Sequence, residues 1–426
     1  MTSKAENNEA FVWVWLPGST EPVVAGRLER SGSQLIFNYG RSYLGRNDAI
    51  SLYEPELPLQ AGALPLPAGL SMPSSLRDAA PDAWGRRVII NRQLGRKGNE
   101  IDPADLDELT YLLESGSDRI GALDFQRSAT KYVARQATTA SLALLADAAR
   151  HVEEGVPLPA DLDVALMHGS SIGGARPKAM IEEGDSKYIV KFSSQSDVYS
   201  VVKAEFIAMR LAALAGINAA PVRMEKAGTR DVLLIRRFDR DRAAGGWHRR
   251  AMVSALTLQG LDEMMARYAS YEELASIIRH RFDAPKATLR ELYARLVFNI
   301  LCGNTDDHAR NHAAFWNGQR LVLTPAFDIC PQARNGREAT QAMLVVEEQR
   351  VSQIALCIEA APVFLLSAGD AEAIAARQIA TIRDQWDATC TEARLSPVDK
   401  KLFWRRQFLN PYAFEGAPAA LRALVE

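Results

Sequence analysis

The sequence predicts an α+β fold with two lobes, because a strand-rich first half is followed by a helix-rich second half. The chain has 426 residues, of which 47% are hydrophobic and 24% are charged, which suffices for two or three domains with a large core. We expect a small β/α subdomain over 1–130, a strand-rich lobe over 131–245 and a mostly helical lobe over 246–426.

Apolar alternation and turn residues locate the elements in order. A proline-rich stretch over 55–81 separates the first strands from the first helices, and a second proline-rich segment at 156–159 reads as a linker. Gly216 is a typical end signal for the helix before it. The predicted strands are 11–15, 23–28, 34–39, 179–182, 187–192, 222–224 and 232–235, and the predicted helices are 82–92, 105–114, 138–154, 198–215, 271–281, 289–302 and 371–386.

Composition excludes several classes of protein. Lys and Arg number 50 and Asp and Glu 52, so a net charge of −2 argues against binding nucleic acid by bulk charge. The 4 cysteines are too scattered for a disulfide framework, and no C-x-x-C is present for zinc. No signal-peptide pattern and no apolar stretch of membrane-spanning length is found, so we expect a cytoplasmic protein without membrane contact.

A glycine-containing loop over 170–178 is the first candidate site. Small residues and the paired Gly173 and Gly174 let backbone N–H groups approach an anion, and Lys178 adds a positive charge. The loop is neither a Walker A motif nor the G-x-G-x-x-G of ordinary protein kinases. Taken alone, it is equally consistent with a surface hairpin.

Lys191 lies in an otherwise apolar strand downstream of this loop, where protein kinases carry a phosphate-pairing lysine. An edge-strand lysine that reaches solvent is the alternative. Glu205 on the following helix is either a partner for Lys191 or a solvated helix glutamate, and the second interpretation is slightly favoured.

The segment 302–312, Cys-Gly-Asn-Thr-Asp-Asp-His-Ala-Arg-Asn-His, follows an apolar helix. In phosphoryl-transfer enzymes of the protein-kinase type, a catalytic Asp precedes a metal-binding Asn by five residues. Asp306 and Asn311 have this spacing. Asp328, after a short strand at 321–323, lies where a second magnesium ligand is expected.

Two other chemistries remain open on these residues. His308 and His312 are four apart, as zinc-binding histidines on a helix often are, but the glutamate of H-E-x-x-H is missing. A metallohydrolase that uses Asp306, Asp307, His308 and Asp328 is the weaker alternative. Residues 169–173 fit G-x-S-x-G, but this motif requires a strand before it and a helix after it, whereas a strand is predicted next.

Read together, these motifs resemble the HipA family of serine/threonine kinases, the toxins of type II toxin–antitoxin pairs, over nearly the whole chain. The family's S-x-x-G-A-x-x-K loop is similar to Ser171–Lys178, and its T-D-x-H-x-x-N is similar to Thr305–Asn311. The front part resembles the family through 26–28, 81–87 and 118–123. The family's E-R-F-D hinge is similar to 236–239, with Arg236 in place of the acid.

The resemblance implies a two-lobed, protein-kinase-like fold that uses ATP and Mg²⁺. It implies that Asp306 is the general base, that Asn311 and Asp328 are the magnesium ligands, and that Ser171, with Ser170 as an alternative, is autophosphorylated. The ATP-binding residues that it implies are Gly173, Gly174, Ala175, Arg176, Pro177, Lys178, Lys191, Arg236, Arg237, Phe238, His308, Asn311 and Asp328.

The resemblance also implies partners. Family members pair with a small helix-turn-helix antitoxin of the HipB type, which carries them to operator DNA, and family substrates include aminoacyl-tRNA synthetases. A protein substrate is therefore expected here. A small-molecule kinase, or a catalytically silent co-repressor acting with a DNA-binding antitoxin, are the alternatives.

Overall fold

The structure is a computed structural model that describes residues 7–94, 106–135, 140–156, 158, 170–194, 197–334 and 336–425. The first residues of the helix predicted from 138, and Pro157 and Pro159 of the predicted linker, lie outside these residues. The strands, in chain order, are β1 (Glu9–Val14), β2 (Val23–Ser31), β3 (Gln34–Tyr39), β4 (Leu123–Gln126), β5 (Lys178–Glu183), β6 (Ser186–Phe192), β7 (Val222–Ala227), β8 (Arg230–Arg236), β9 (Arg240–Ala243), β10 (Gly246–Arg249), β11 (Met252–Ser254), β12 (Ala313–Trp316) and β13 (Leu321–Leu323).

The described α-helices are α1 (Arg41–Leu44), α2 (Ser74–Arg77), α3 (Ala83–Leu94), α4 (Glu108–Glu114), α5 (Leu142–Glu154), α6 (Val201–Leu214), α7 (Ala255–Leu258), α8 (Tyr271–Arg281), α9 (Pro285–Cys302), α10 (Ile354–Ala360), α11 (Ala368–Glu392), α12 (Pro397–Phe403) and α13 (Ala419–Ala423). Short 3₁₀ helices occur at Glu263–Tyr268, Ala309–Asn311, Ala361–Phe364 and Pro411–Phe414.

The chain divides into two compact units. The first contains the described residues up to 194 together with 225–253 and 315–319, and the second contains 197–224, 254–314 and 320–425. The predicted domain boundaries after 130 and 245 stay predictions.

The first unit contains two four-stranded sheets. The sheet in the order β3-β2-β1-β4 is antiparallel, and alternation along β3 buries Leu35, Phe37 and Tyr39 on one face. In the second sheet, of order β5-β6-β8-β7, antiparallel strands flank β6 on both sides. Helix α5 packs on this sheet through a core that includes Val152, Val190 and Leu234. Strand β6 is thus an inner strand; its residues Val190, Lys191 and Phe192 are buried, and the four before them are partly buried.

Helices dominate the second unit, as the sequence predicts. Helix α9 begins with Pro285 at its first turn, where a missing N–H costs nothing, and ends at Gly303. Its residues from Leu292 to Cys302 are all buried. This burial places the residues that follow α9 at the end of a rigid element.

The β9–β10 hairpin is not among the strands predicted from the sequence, and β10 lies where a mostly helical lobe is predicted. Strand residues there are polar, and no apolar alternation marks them. Ala244 and Gly245 form the two-residue turn, in which Gly245 has φ of 87°. The guanidinium of Arg242 and the ammonium of Lys187 lie 5.2 and 5.1 Å from the ring centre of Trp247, which supplies contacts that a sequence pattern does not reveal.

Candidate active site

A polar loop over 304–311 follows α9 in the second unit. The helix ends at Gly303, whose φ is 73°, and a β-carbon there would lie 2.7 Å from the carbonyl oxygen of Gln407. Glycine alone combines this left-handed conformation with so close an approach. The buried Asn304 then donates its amide to Oδ1 of Asn299 at 3.0 Å, which holds the start of the loop against the helix.

The two adjacent aspartates of this loop have different surroundings. Asp306 is exposed, whereas Asp307 is only 2% exposed. One oxygen of Asp307 accepts the hydroxyl of Tyr271, and the other lies 2.9 Å from Nε2 of His312. Burial tends to raise the pKa of Asp307, but His312 and Tyr271 outweigh burial and lower it. Asp307 therefore serves as a buried ionised acceptor, and Asp306 is the carboxylate that a substrate can reach.

Asn311 is oriented by the backbone of the same loop. Its Nδ2 donates to the carbonyl oxygen of Asp306 at 3.1 Å. Its backbone N–H donates to the carbonyl of His308 at 2.8 Å, and the N–H of His308 donates to the carbonyl of Asp306 at 2.9 Å. The first bond uses the nitrogen end of the Asn311 side-chain amide, so its oxygen end is suited to bind a cation.

Asp328 follows β13 in a conformation that non-glycine residues rarely adopt, with φ of 57°. The preceding backbone is anchored at two points. The N–H of Ala326 donates to the carbonyl of Asn218 at 2.7 Å, and the buried guanidinium of Arg295 on α9 donates to the carbonyl of Thr324 at 2.8 Å. Such strain is typical of functional sites and persists where the surroundings over-determine the backbone.

Charge repulsion is concentrated around Asp306. Partial removal of water raises the pKa of this carboxyl; His308 lowers it, and the carboxylates of Asp328 and Asp307 raise it further. A cation near Asp306 and Asp328 would relieve this repulsion. Magnesium is commonly held by one or two protein oxygens and completed by substrate phosphates, so Asn311 and Asp328 fit this ion.

A zinc site on the two histidines is not supported by the loop's geometry. Residues 304–308 are irregular and 309–311 form a 3₁₀ turn, so His308 and His312 do not share a helix face. His312 is bonded through Nε2 to Asp307. In the parts of the chain that the structure describes, no group of three or more His, Cys, Asp or Glu side chains is placed to hold a metal ion.

The glycine loop over 170–178 belongs to the first unit. Gly174 has φ of 100°, and a β-carbon there would collide with Nζ of Lys178, which itself donates to the carbonyl of Gly173. Ser170 and Ser171 are each 2% exposed. Of the remaining loop residues, Ala175 is exposed, Arg176 is half-buried and Pro177 is buried.

Lys178 and Lys191 lie directly opposite each other on β5 and β6. They are 4% and 8% exposed, so the edge-strand alternative for Lys191 is wrong. Two positive charges on directly opposite residues of paired strands repel each other, and an anion bound near the two lysines would offset this repulsion. Glu205 on α6 is 2% exposed, so the slightly favoured interpretation of a solvated helix glutamate is also wrong.

The predicted hinge begins at Arg236, the last residue of β8, and continues beyond the strand. Arg236 is exposed, and Phe238 lies edge-on to Phe315 at 6.0 Å between ring centres. Arg237 is buried, and its guanidinium donates to both Asp118 and Asp239. Any contact between Arg237 and a nucleotide would therefore involve its backbone.

The serine-hydrolase reading does not agree with the fold. Gly169 of the G-x-S-x-G string lies outside the described residues, and the described part leads into strand β5 rather than a helix. The strand–turn–helix context that exposes such a serine is therefore not formed between 170 and 183.

Four residues near the candidate site have no role predicted from the sequence: Asp82, Gly116, Asp118 and Tyr271. The first three contact the glycine loop, and the Asp82–Gly174 bond spans 92 positions. Segments 81–87 and 118–123 were noted only for their resemblance to a family. No spacing rule connects such distant residues.

Two family models match this chain. The model described as "HipA-like C-terminal domain" matches residues 170–386, and the "HipA N-terminal domain" matches residues 14–126. Within the residues that the structure covers, no helix is long and apolar enough to cross a membrane.

Curated relatives are similar over part of their length. A protein named "Putative kinase Y4mE" of Sinorhizobium fredii is 26% identical over 175 residues, which are 37% of this chain and 41% of that protein. The "Serine/threonine-protein kinase toxin HipA" of Shewanella oneidensis is 28% identical over 188 residues, or 37% and 42% of the two chains. The chain thus spans less than half the length of these relatives.

A solved structure of the Shewanella oneidensis MR-1 toxin–antitoxin system, with HipA, HipB and operator DNA, contains a chain of similar fold. The TM-score is 0.67 at 18% identity, and the match covers 97% of this chain and 99% of that chain. At this identity the likeness concerns the fold, and it confirms the predicted α+β fold class.

Proposed function

This chain belongs to the HipA family, and we propose that it is an ATP- and magnesium-dependent serine/threonine-protein kinase, the toxin of a type II toxin–antitoxin module. The loop over 304–311 carries this proposal. It exposes one carboxylate, Asp306, while its neighbour Asp307 is buried, and it orients the amide of Asn311 five residues later. This is the arrangement that phosphoryl transfer to a hydroxyl requires.

The proposed roles follow from the surroundings of each residue. Asp306, the exposed carboxylate of the loop, orients the acceptor hydroxyl and takes its proton. Asn311 and Asp328 hold Mg²⁺, which when bound neutralises phosphate charge. Lys178 and Lys191 bind phosphate oxygens.

The glycine loop contributes backbone N–H groups, and the hinge over 236–238 binds adenine mainly through its backbone. His308 lies among the nucleotide-contacting residues. Catalysis then consists of placement and charge neutralisation, because the chain forms no covalent intermediate.

The proposed self-modification site is Ser171, with Ser170 as the alternative. A phosphate adds about two negative charges to a loop that is suited to bind phosphates, so the modified loop would repel ATP. We expect phosphorylated protein to be inactive. An ATP affinity that is unchanged by phosphorylation would contradict this part of the proposal.

The proposed partners are a helix-turn-helix antitoxin of the HipB type and, through it, operator DNA. The solved relative is described with both. A net charge of −2 suits indirect contact with DNA better than direct binding. The proposed substrate is a cytoplasmic protein, with an aminoacyl-tRNA synthetase as one candidate.

Intact-mass spectrometry after incubation with Mg-ATP tests the activity. Phosphatase-treated wild type is compared with Asp306→Ala, Asp328→Ala and the matched control Asp384→Ala, an exposed aspartate on α11. We expect one phosphate on Ser170 or Ser171 in wild type and control only.

Wild type that binds ATP but gains no phosphate, and phosphorylates no protein in a lysate, would refute the protein-kinase assignment. A small-molecule kinase or a silent co-repressor would then be the better description. Normal phosphorylation of Asp306→Ala would refute the assignment of the base alone.

A further inference from the structure

The glycine loop rests on residues of the front part of the chain, all within the first unit. Two short segments, 82–87 and 116–118, make these contacts, and we call them the seat. The carboxylate of Asp82 accepts the N–H of Gly174 at 2.7 Å, and the N–H of Trp84 donates to the carbonyl of Gly174 at 3.1 Å. Gly174, the residue of this loop with a positive φ, is thus held through both its N–H and its carbonyl.

Further contacts cover the rest of the loop. The indole N–H of Trp84 donates to the carbonyl of Lys178 at 3.0 Å, and Arg87 donates to the carbonyl of Ala175 at 3.4 Å. Gly85 of α3 lies so close to the carbonyl of Ser170 that a β-carbon at Gly85 would overlap it. The seat therefore excludes any side chain at position 85 while the loop is docked.

The two serine hydroxyls of the loop also face the seat. The N–H of Gly116 donates to Oγ of Ser170 at 3.1 Å, and Oγ of Ser171 donates to the carbonyl of Asp118 at 3.4 Å. Both serines are 2% exposed. A phosphate cannot be transferred to either oxygen unless the loop first leaves the seat.

The seat itself is firmly held, so it can position the loop. The carbonyl of Asp82 accepts the N–H of Arg86 in the first turn of α3 at 2.9 Å. The guanidinium of Arg86 forms two bonds of 2.7 Å with Glu108 on α4 and lies 4.4 Å from the ring centre of Tyr111. The carboxylate that meets Gly174 is therefore attached to a braced helix start.

We propose that Asp82 is a positioning residue that keeps the glycine loop docked, and that the seat sets both ATP affinity and the rate at which Ser171 is phosphorylated. This inference rests on the proposed kinase function. A docked loop presents its glycines for phosphate binding but hides its serines. Weakening the seat therefore has opposite effects on ATP affinity and on self-modification.

Hydrogen exchange of the full chain without nucleotide tests the seat independently of activity. Wild type is compared with Asp82→Ala, with the isosteric Asp82→Asn, and with Asp48→Ala, an exposed aspartate whose side chain is 61% accessible in its pair with Arg46. Loss of a bond to a charged acceptor makes loop opening about tenfold more frequent or more. We expect about tenfold faster exchange in peptides over 171–178 in Asp82→Ala, a smaller effect in Asp82→Asn, and none in the control.

The functional arm measures ATP binding and phosphate uptake by the same proteins. We expect Asp82→Ala to bind ATP about tenfold more weakly and, at saturating Mg-ATP, to phosphorylate Ser171 faster than wild type. Unchanged exchange over 171–178 would overturn the seat. Tighter ATP binding would overturn it too, because Asp82 would then compete with phosphate for the Gly174 N–H.

Two results separate this inference from the proposed function. If wild type takes up no phosphate, the kinase assignment fails, while the exchange data still decide whether Asp82 docks the loop. If Asp82→Ala exchanges faster over all of 7–94, the variant has unfolded more widely. Exchange over 171–178 in Asp82→Asn then tests whether Asp82 docks the loop, since Asn keeps the shape of the side chain.

Discussion

Asp239 lies in a buried cluster of charges in the first unit, and its replacement by Asn is predicted to destabilise that unit. Its carboxylate accepts bonds of 2.9 and 2.8 Å from Arg237, one of 2.9 Å from Arg240 and one of 2.8 Å from the N–H of Gly121. The side chain is 3% exposed. Solvent therefore does not compensate for the lost charge.

The magnitude follows from the pKa of Asp239. Burial tends to raise this pKa, but the attraction of Arg237 and then Arg240 outweighs burial and lowers it from 3.8 to about 2. At 1.36 kcal/mol per unit, the ionised form is favoured by about 2 kcal/mol. Asn also places N–H groups against guanidinium donors, and breaking a buried pair costs about 3–5 kcal/mol. We therefore expect Asp239→Asn to lose about 2–5 kcal/mol of unfolding free energy.

The lowered pKa of Asp239 also predicts how the unfolding free energy depends on pH. Since the folded pKa is lower than the unfolded one, the stability that Asp239 contributes is present above about pH 4 and is lost as pH falls towards 2. The difference between wild type and Asp239→Asn should therefore be constant from pH 7 to 5 and shrink below pH 4.

Urea unfolding followed by tryptophan fluorescence measures both effects, with Asp185→Asn as the control. Asp185 is 87% exposed at the β5–β6 turn, so this variant should match wild type. A loss under about 1 kcal/mol in Asp239→Asn, or a difference that stays constant down to pH 3, would refute the role of Asp239 as the charge that balances the two arginines.

Substitutions at three further positions test the candidate site. Tyr271→Phe removes a hydroxyl that donates to buried Asp307, so urea unfolding should show a loss of about 1–3 kcal/mol; unchanged stability would contradict this bond. Lys191→Met should weaken ATP binding at least about tenfold in calorimetry, because a charged donor to the phosphates is lost; equal ATP affinity would contradict its role. Asp328→Asn should lose phosphate transfer but keep its stability, since Asn tolerates the left-handed backbone, whereas Asp328→Val should lose about 1–2 kcal/mol as well; equal stability of the two variants would show that the strain is absent.

Local patterns account for most of the fold. The strand at 34–39 and the helix at 271–281 are observed at their predicted limits, because alternation and capping residues lie within the segments themselves. Helix α6 begins at Val201 instead of Val198, three residues late. The β9–β10 hairpin is not predicted, because it is supported by cation–π contacts to Trp247 and by a turn that contains glycine. Neither feature produces an alternation of apolar residues in the sequence.

Some residues of the candidate site can likewise be predicted from local sequence and others cannot. Lys191 is predicted from its position in an apolar strand, but its burial depends on β8, whose Leu233 is paired with Lys191 from 42 residues further along the chain. Asp82 has no local signal at all, since its relation to Gly174 exists only once α3 and the loop have docked. Residues that contact phosphate have recognisable spacings, whereas residues that position them are found through long-range contacts.

The adjacent acids Asp306 and Asp307 illustrate this limit. Spacing to Asn311 favours Asp306 as the base, but the two adjacent residues are of the same type, so their own chemistry does not separate them. The structure distinguishes them through Tyr271, 36 residues away, whose hydroxyl bonds to Asp307 and which, with His312, keeps that carboxylate buried and ionised. Because Asp307 is held inside, the backbone turns so that Asp306 is exposed, and the buried acid thereby positions the exposed one.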